Sequence, residues 1–273
     1  MTVKAFAPAK INLTLHITGQ RDDGYHLLDS LVVFADIGDQ IVMSPQDDLS
    51  IKVTGKFAEG VPTDQRNLVW KAAESAGWAG QICLDKVLPH GAGIGGGSSD
   101  AAAVLRSLSA QGLPVAKDFE VSLGADIPVC MAARASRMQG IGEQVSPVGL
   151  PNLPAVLVNP GVHVPTGTVF SAMAQRDNSP MPPSIPDFET PADVAVWLAE
   201  QRNDLQVPAA AIAPQIDQVL SELNCMGNAM LARMSGSGAT CFALFPTVMA
   251  AQRAAKQLGS AHPDWWVQST TLS

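Results

Sequence analysis

Residues 89–100 form a glycine-rich stretch, Pro-His-Gly-Ala-Gly-Ile-Gly-Gly-Gly-Ser-Ser-Asp, in which five of the twelve residues are glycine. Glycine has no Cβ, so this stretch permits positive φ angles and close approach of the backbone to a ligand. Apolar residues follow at i, i+3, i+4 and i+7 from Ala101, which predicts a helix capped by Ser98 or Ser99. A glycine loop that opens a helix directs free N–H groups to one point at the positive end of the helix dipole. The stretch therefore predicts a phosphate-binding site.

The overall charge limits the kinds of partner. The chain has a net charge of −8, whereas binding to nucleic-acid backbones or anionic membranes needs a basic surface. We therefore expect a small-molecule substrate and neither nucleic acid nor membrane as a partner. An anionic ligand must be held by local geometry, which again points to the glycine loop.

The expected location of the protein follows from its cysteines and its apolar segments. The four cysteines are scattered, without C-x-x-C spacing or clustered histidines, which argues against a zinc site or a disulfide framework. No signal-like segment opens the chain, and no apolar run approaches the roughly 18 residues of a membrane span. These features predict a cytoplasmic protein, and they leave open whether it is a monomer or a homodimer.

Strand and helix patterns come in mixed order without an internal repeat, which predicts an α+β fold with two layered domains, at residues 1–150 and 151–273. The predicted strands are Lys4–Phe6, Ile11–Thr18, Leu27–Ala35, Gln40–Met43, Ile82–Leu88, Ala155–Val158 and Cys241–Phe245. Besides the helix after the loop, the predicted helices are Asn67–Ala76, Asp193–Glu200, Ala213–Leu223 and Val248–Leu258.

The glycine loop has competing interpretations. It lacks the G-x-x-x-x-G-K-[ST] pattern of a P-loop, but from Gly91 it matches the G-x-G-x-x-G dinucleotide fingerprint, with Asp118 about twenty residues later. That fingerprint requires an apolar strand before it, whereas this strand carries Asp85 and Lys86, and residues 112–118 show no second strand. A glycine turn without a ligand is the other alternative, but so many glycines are costly to order in a mere turn.

The loop and the start of its helix resemble the ATP loop of the GHMP kinases, the family of galactokinase, homoserine kinase and mevalonate kinase. The resemblance implies a two-domain architecture with the active site in the interdomain cleft, and it implies ATP and Mg²⁺, without identifying a magnesium ligand. It also implies that Asn67 and Lys86 lie near the adenine. The residues implied to wrap the ATP phosphates are Pro89, His90, Gly91, Ala92, Gly93, Ile94, Gly95, Gly96, Gly97, Ser98 and Ser99.

Further motifs resemble one branch of this family, whose members phosphorylate an alcohol carrying cytidine diphosphate in the non-mevalonate route to isoprenoid precursors. The resemblance spans nearly the whole chain and keeps the order of the family's motifs. The motifs are Pro8–Leu13, Gly19–His26, Leu123–Pro128, Gly161–Phe170, Asn203–Leu205 and Ser235–Ala239.

Two of these motifs supply candidate catalytic residues. Transfer of a phosphoryl group to an alcohol needs an acceptor for the hydroxyl proton and positive charge near the phosphoryl group. The resemblance implies Asp126 as the base, with Lys10 keeping it ionised and orienting the hydroxyl. Taken singly, Lys10 also suits a solvated strand position and Asp126 an ordinary turn or cap.

Candidate substrate residues lie in the same branch motifs. Tyr25 and His26 follow a predicted turn, and the resemblance assigns them to the cytidine, with Phe170 on the other face of the base and Thr166 nearby. An exposed aromatic side chain stacks readily on a base. Asn12 lies on the strand face of Lys10 and is a candidate for a hydrogen bond to the alcohol. Phe170 equally suits core packing.

Three other functions remain alternatives at this stage. Another GHMP kinase, of the homoserine or mevalonate type, would share the ATP loop, but its substrate carries no base to stack on Tyr25. A dinucleotide-dependent oxidoreductase would use the glycine fingerprint. A non-catalytic nucleotide sensor would bind ATP without turnover.

Overall fold

The computed structural model describes residues 1–115 and 123–273 and confirms the α+β class. Its strands are β1 (Val3–Asn12), β2 (His16–Gln20), β3 (His26–Pro45), β4 (Ser50–Thr54), β5 (Gly80–Asp85), β6 (Ser136–Gly140), β7 (Gln144–Pro147), β8 (Leu153–Asn159), β9 (Leu231–Met234), β10 (Cys241–Leu244) and β11 (Trp266–Leu272). Its helices are α1 (Leu68–Ser75), α2 (Gly96–Ala110), α3 (Ile127–Ala132), α4 (Thr166–Ser171), α5 (Pro191–Ala199), α6 (Gln206–Ile212), α7 (Gln215–Asn224) and α8 (Val248–Ala261). Within these two ranges, no helix combines the length and apolarity that a bilayer span requires.

The chain forms two compact units that are interleaved along the sequence. The first unit comprises residues 1–10, 37–90 and 95–133. The second comprises residues 11–36, 91–94 and 134–273. The division into domains near residue 150 stays a prediction.

Among the described residues of the first unit, three helices pack on a short sheet. The strand β5 is antiparallel to the second half of β3 and parallel to β4, and α1 connects β4 with β5. Helix α2 contacts both α1 and α3. Apolar residues of the sheet and of α1 and α2 form the core, among them Ile41, Met43, Ile82, Leu84, Val69, Val104 and Leu105.

In the second unit, β8 is a central strand with all of its residues buried, as expected for a strand covered on both faces. It pairs antiparallel with β10 on one side and with β11 on the other, and β9 pairs with β10. The first half of β3 pairs with β2 and β6. Helix α7 packs against β9 and β10, and α8 against β8 and β11.

Local patterns predicted the positions of α1, α2, α5, α7 and α8, but they missed the shorter helices and several ends of strands. The helix at 67–76 is confirmed as α1, with Asn67 as its N-cap. The breaks predicted at 7–10 and 36–39 are wrong, because β1 continues through Pro8 and β3 through Gly38. Pairing of β3 with partners along both of its halves outweighs the local preference for a turn.

Candidate active site

The glycine loop leads directly into α2, whose first turn has no side-chain cap. Gly95 is the N-cap residue, in the left-handed region at φ +63°, and its carbonyl accepts the first helical hydrogen bond from Ser99 N at 2.8 Å. The prediction that Ser98 or Ser99 caps the helix is therefore wrong, because both lie inside its first turn. The N–H groups of residues 96–98 have no acceptor within the helix and are free for an anion.

The two serines of this turn differ in their surroundings. Ser99 is fully buried, and its hydroxyl donates to the Pro8 carbonyl at 2.7 Å, so it joins α2 to β1. Ser98 is half-buried. Both serines are implied to wrap the ATP phosphates, and Ser98 is therefore the better candidate to contact a phosphate with its hydroxyl.

Lys10 and Asp126 form an ion pair in the first unit. Lys10 Nζ donates to Asp126 Oδ1 at 2.6 Å, with the lysine side chain 5% exposed and the aspartate side chain 32% exposed. Asp126 precedes α3 but does not cap it with its side chain, so the carboxylate is directed to Lys10. A Cβ on Gly95 would lie 3.1 Å from Lys10 Cβ, which places the pair beside the start of α2. The fold thus brings together two residues 116 positions apart in the sequence.

In the second unit, residues 91–94 pack against the glycine loop at 235–239. Gly93 has φ +73°, and a Cβ on it would lie 2.5 Å from Ser235 O and 2.8 Å from Gly238 N. Ser235 Oγ donates to Gly93 O at 3.0 Å, and Thr240 N donates to Ala92 O at 3.1 Å. Two of the sequence motifs are therefore in direct backbone contact.

Gly93→Ala is expected to destabilise the protein more than Gly112→Ala. Both positions have positive φ, which costs an alanine about 1–2 kcal/mol. Only at Gly93 would the new methyl group meet backbone atoms, because no atom of the described residues lies within 4 Å of a Cβ on Gly112. Overpacking of that kind costs about 1–3 kcal/mol more. Urea unfolding of both variants measures the difference, and equal free energies of unfolding would contradict the packing of the two loops.

Asn12 has one unused polar atom. Its backbone N–H donates to Ser235 Oγ at 3.0 Å, and its side-chain Nδ2 donates to Ser30 Oγ at 2.8 Å. Its Oδ1 is buried without a hydrogen-bond partner among the described residues. Because buried polar atoms are normally satisfied, this oxygen is a candidate contact for a ligand.

The residues predicted to read a base lie after the β2–β3 turn. Tyr25 is 58% exposed, and the His26 ring stacks on Phe170 with centroids 4.5 Å apart and planes at 26°. Burial lowers the pKa of His26, and the positive charge of Arg176 lowers it further, so the imidazole is neutral at pH 7. Its Nε2 is buried and has no hydrogen-bond partner in the described part of the chain.

Thr166 is exposed at the first residue of α4. Its hydroxyl lies 2.8 Å from Ser237 Oγ, so it joins α4 to the second glycine loop. It is in the same unit as His26 and Phe170.

Lys86 belongs to a buried group of charges, which we call the Lys86 cluster: Asp39, Lys86 and Asp100. Its ammonium donates to Asp39 Oδ2 and, at 2.7 Å, to Asp100 Oδ2. Burial alone lowers the pKa of Lys86, but the charges of Asp100 and Asp39 outweigh it and raise that pKa overall. Lys86 therefore has a buried ion-pair role that the sequence did not indicate, and its position near the adenine stays a prediction.

Two members of the cluster, Lys86 and Asp100, line a cavity of about 260 Å³ in the first unit. Asn67 also lines it, but its amide is engaged, since Oδ1 accepts from Val69 N at 2.9 Å and Nδ2 donates to Pro62 O at 2.7 Å. The lining residues are Gly60, Val61, Pro62, Arg66, Asn67, Leu68, Lys86, His90, Gly97 and Asp100. The mixture of apolar walls and a few polar groups suits a heteroaromatic ligand.

Asp39 and Asp100 are the residues that sequence reasoning missed. For Asp100 a signal existed, because an acid directly before the buried run Ala101–Ala103 has to find a partner. Asp39 gives no such local signal. Asp118 and the end of the predicted strand-free segment, residues 116–118, lie outside the described residues.

Metal ligands are not indicated by any cluster of side chains. Across residues 1–115 and 123–273, no group of three or more His, Cys, Asp or Glu side chains could hold an ion. The four thiols are free.

Comparisons with known proteins find one and the same family across nearly the whole chain. Residues 67–142 match the family model described as GHMP kinases N terminal domain, and residues 184–264 match GHMP kinases C terminal. The chain is 60% identical to the 4-diphosphocytidyl-2-C-methyl-D-erythritol kinase of Dinoroseobacter shibae, over 99% of this chain and 95% of that protein. It is 50% identical to the protein of the same name from Cereibacter sphaeroides, over 99% of both.

Comparison with solved structures finds the same family of proteins. A crystal structure of 4-(cytidine 5'-diphospho)-2C-methyl-D-erythritol kinase matches with a TM-score of 0.78 and 33% identity, over 99% of both chains. Homoserine kinase from Cytophaga hutchinsonii matches with a TM-score of 0.65 at 18% identity, over 99% of this chain and 95% of that one, which shows a shared fold.

Proposed function

The chain belongs to the GHMP kinases, in the branch of the 4-diphosphocytidyl-2-C-methyl-D-erythritol kinases, and on that premise we propose how its residues divide the reaction. It is an ATP-dependent phosphotransferase with an alcohol as acceptor. The γ-phosphoryl group passes to the 2-hydroxyl of 4-(cytidine 5′-diphospho)-2-C-methyl-D-erythritol, giving the 2-phosphate and ADP. This step belongs to the non-mevalonate synthesis of isoprenoid precursors.

The nucleotide is held by the first unit and the glycine loop. The uncapped N–H groups of residues 96–98 bind phosphate oxygens, assisted by the positive end of the α2 dipole and the Ser98 hydroxyl. The adenine occupies the cavity lined by Asn67 and Lys86. Its apolar walls and buried polar groups support this assignment.

Mg²⁺ enters with ATP in this proposal. Mg²⁺ is commonly held by substrate phosphates, water and one or two carboxylates rather than by a cage of protein ligands. That mode fits a chain whose described residues contain no cluster of three acids. When bound, the ion neutralises charge on the transferring phosphoryl group.

One observation carries the catalytic assignment: the 2.6 Å ion pair of Lys10 and Asp126 beside the start of α2. The Asp126 carboxylate accepts the proton of the 2-hydroxyl as that oxygen attacks the γ-phosphorus. Lys10 fixes the orientation of the carboxylate and supplies positive charge near the attacking oxygen. The partial exposure of Asp126 leaves it accessible to the alcohol.

The cytidine substrate is bound by residues of the second unit. Tyr25 supplies an exposed aromatic face for the base, and the neutral His26 imidazole offers its unpartnered Nε2 for a hydrogen bond to the base edge. Phe170 supports the His26 ring. Thr166, which is exposed and in the same unit, contacts the same ligand in this proposal. The unpartnered Oδ1 of Asn12 accepts a hydrogen bond from the alcohol.

A substrate comparison tests the assignment directly. An assay coupled to ADP release is run with the cytidylyl substrate, homoserine and mevalonate. We expect turnover with the first alone, because neither of the others carries a base for Tyr25. Clear activity with homoserine or mevalonate and none with the cytidylyl alcohol would contradict the branch assignment, and ATP binding without any turnover would indicate a nucleotide sensor.

We place the enzyme in the cytoplasm, as a monomer or homodimer. Its free thiols are typical of a reducing compartment. Sedimentation at several protein concentrations distinguishes the two assembly states.

A further inference from the structure

The Lys86 cluster is more than a support for the nucleotide cavity. We propose that Asp100 is a positioning residue that couples ATP binding to the uptake of a proton, by removing a negative charge from beneath the first turn of α2. This inference rests on the proposed binding of the ATP phosphates at that turn. It adds a proton-linked component to nucleotide affinity that the phosphoryl-transfer chemistry itself does not require.

The two carboxylates of the cluster are not equivalent. Asp39 has both oxygens engaged, because Oδ1 accepts from Val87 N at 2.7 Å and from Leu88 N at 2.9 Å while Oδ2 binds Lys86. Asp100 uses only Oδ2, and its Oδ1 is buried without a partner among the described residues. A carboxylate that accepts several N–H bonds is stabilised in its charged form. Asp100 is therefore the member that takes up a proton.

The cluster lies directly against the phosphate-binding turn. A Cβ on Gly96 would lie 3.5 Å from Lys86 Nζ and 4.0 Å from Asp39 Oδ2. With both carboxylates ionised, the two acids outweigh the one ammonium, and the cluster carries a net negative charge. A buried charge is screened less than one in water, so it opposes the binding of the ATP phosphates nearby. Protonation of Asp100 makes the cluster neutral and removes this opposition.

The opposing effects of burial and of the neighbouring charges bring the pKa of Asp100 close to neutral pH. Burial raises the pKa of Asp100 to about 7; the Lys86 ammonium opposes this rise, and the charge of Asp39 adds to it. Asp39 faces Asp100 from β3, and Lys86 faces it from the segment after β5. From α3 the nearby thiol is Cys130, which stays neutral because burial raises its pKa to about 12. A bound triphosphate adds negative charge and raises the pKa of Asp100 further, so ATP affinity falls as the pH rises through 7.

The test is calorimetric titration of the full chain with ATP and Mg²⁺, without the alcohol substrate, between pH 6 and 8.5. Repeating it in buffers of different ionisation enthalpy gives the number of protons taken up. For the wild type we expect net uptake near pH 7.5 and a Kd that rises about tenfold across the range, which corresponds to a shift of one pKa unit. Asp100→Asn keeps the shape of the side chain without the titration, so its proton uptake and pH dependence are expected to disappear.

Asp85→Asn is the matched control. Asp85 immediately precedes Lys86 but contacts Thr54 rather than the cluster, so this variant is expected to keep the wild-type pH dependence. Protons taken up by ATP itself are common to all three proteins and cancel in the comparison. ATP binding by the wild type without proton uptake, or equal uptake by wild type and Asp100→Asn, would overturn this inference and leave the kinase assignment intact. If Asp100→Asn fails to fold, the wild-type titration above pH 7 decides, because ATP bound to Mg²⁺ is fully ionised there and takes up no protons itself. Failure of the wild type to bind ATP at any pH would overturn both.

Discussion

Asp126→Asn is expected to lower kcat by about 10²–10⁴-fold, the usual contribution of a general base. The amide cannot accept the hydroxyl proton, although it keeps the size of the side chain and an oxygen that can accept a hydrogen bond from Lys10. The KM for ATP is expected to change little, because the α2 N-terminus is untouched. Steady-state kinetics with the cytidylyl substrate measure the effect.

The fold is expected to survive this substitution. The Asp126 side chain does not cap α3, so the start of this helix does not depend on the carboxylate. Breaking a fully buried ion pair costs about 3–5 kcal/mol, and less is expected here because the Asp126 carboxylate is partly exposed. Asp217→Asn makes the same change at an exposed position in the first turn of α7 and is the control. Near-normal turnover of folded Asp126→Asn would show that another group removes the proton.

Tyr25→Ala is expected to raise the KM for the cytidylyl alcohol while the KM for ATP stays unchanged. Stacking of a base on an aromatic side chain contributes about 1–3 kcal/mol, which corresponds to about 5–150-fold in affinity. Tyr25 is largely exposed, so its removal takes little from the core. Kinetics with each substrate varied in turn, and equilibrium binding of the alcohol, measure the effect.

Phe188→Ala is the control for the loss of an aromatic ring. Phe188 packs edge-on against Trp197, with ring centroids 5.8 Å apart, and takes no part in the proposed site. Equal increases in both KM values for Tyr25→Ala would indicate a general folding defect and contradict the stacking role.

Much of the nucleotide site could be predicted from local sequence, because its geometry is local. The glycines of residues 91–97 and the apolar spacing after Ala101 specify a loop followed by a helix, and α2 follows as predicted. The cap was predicted wrongly because Ser98 and Ser99 are good caps by residue type. The position of Gly95 and the bond from Ser99 to Pro8 decide the outcome, and both depend on tertiary packing.

The contacts between distant residues could not be predicted from spacing. Motif resemblance pointed to Lys10 and Asp126 separately, but nothing local indicates that their side chains meet. Lys86 was associated with adenine, whereas its ion pairs depend on Asp39 and Asp100, which lie 47 and 14 positions away. Such pairs arise when strands and helices pack, so they become visible only in the folded chain.

Phosphorus NMR of the complete reaction tests the central claim most directly. The purified chain is incubated with ATP, Mg²⁺ and 4-(cytidine 5′-diphospho)-2-C-methyl-D-erythritol. We expect ADP and one new phosphomonoester signal that couples to the carbon bearing the 2-hydroxyl, while the diphosphate of the substrate stays intact. Consumption of ATP without that phosphomonoester, or a phosphoryl group on a different hydroxyl, would contradict the account.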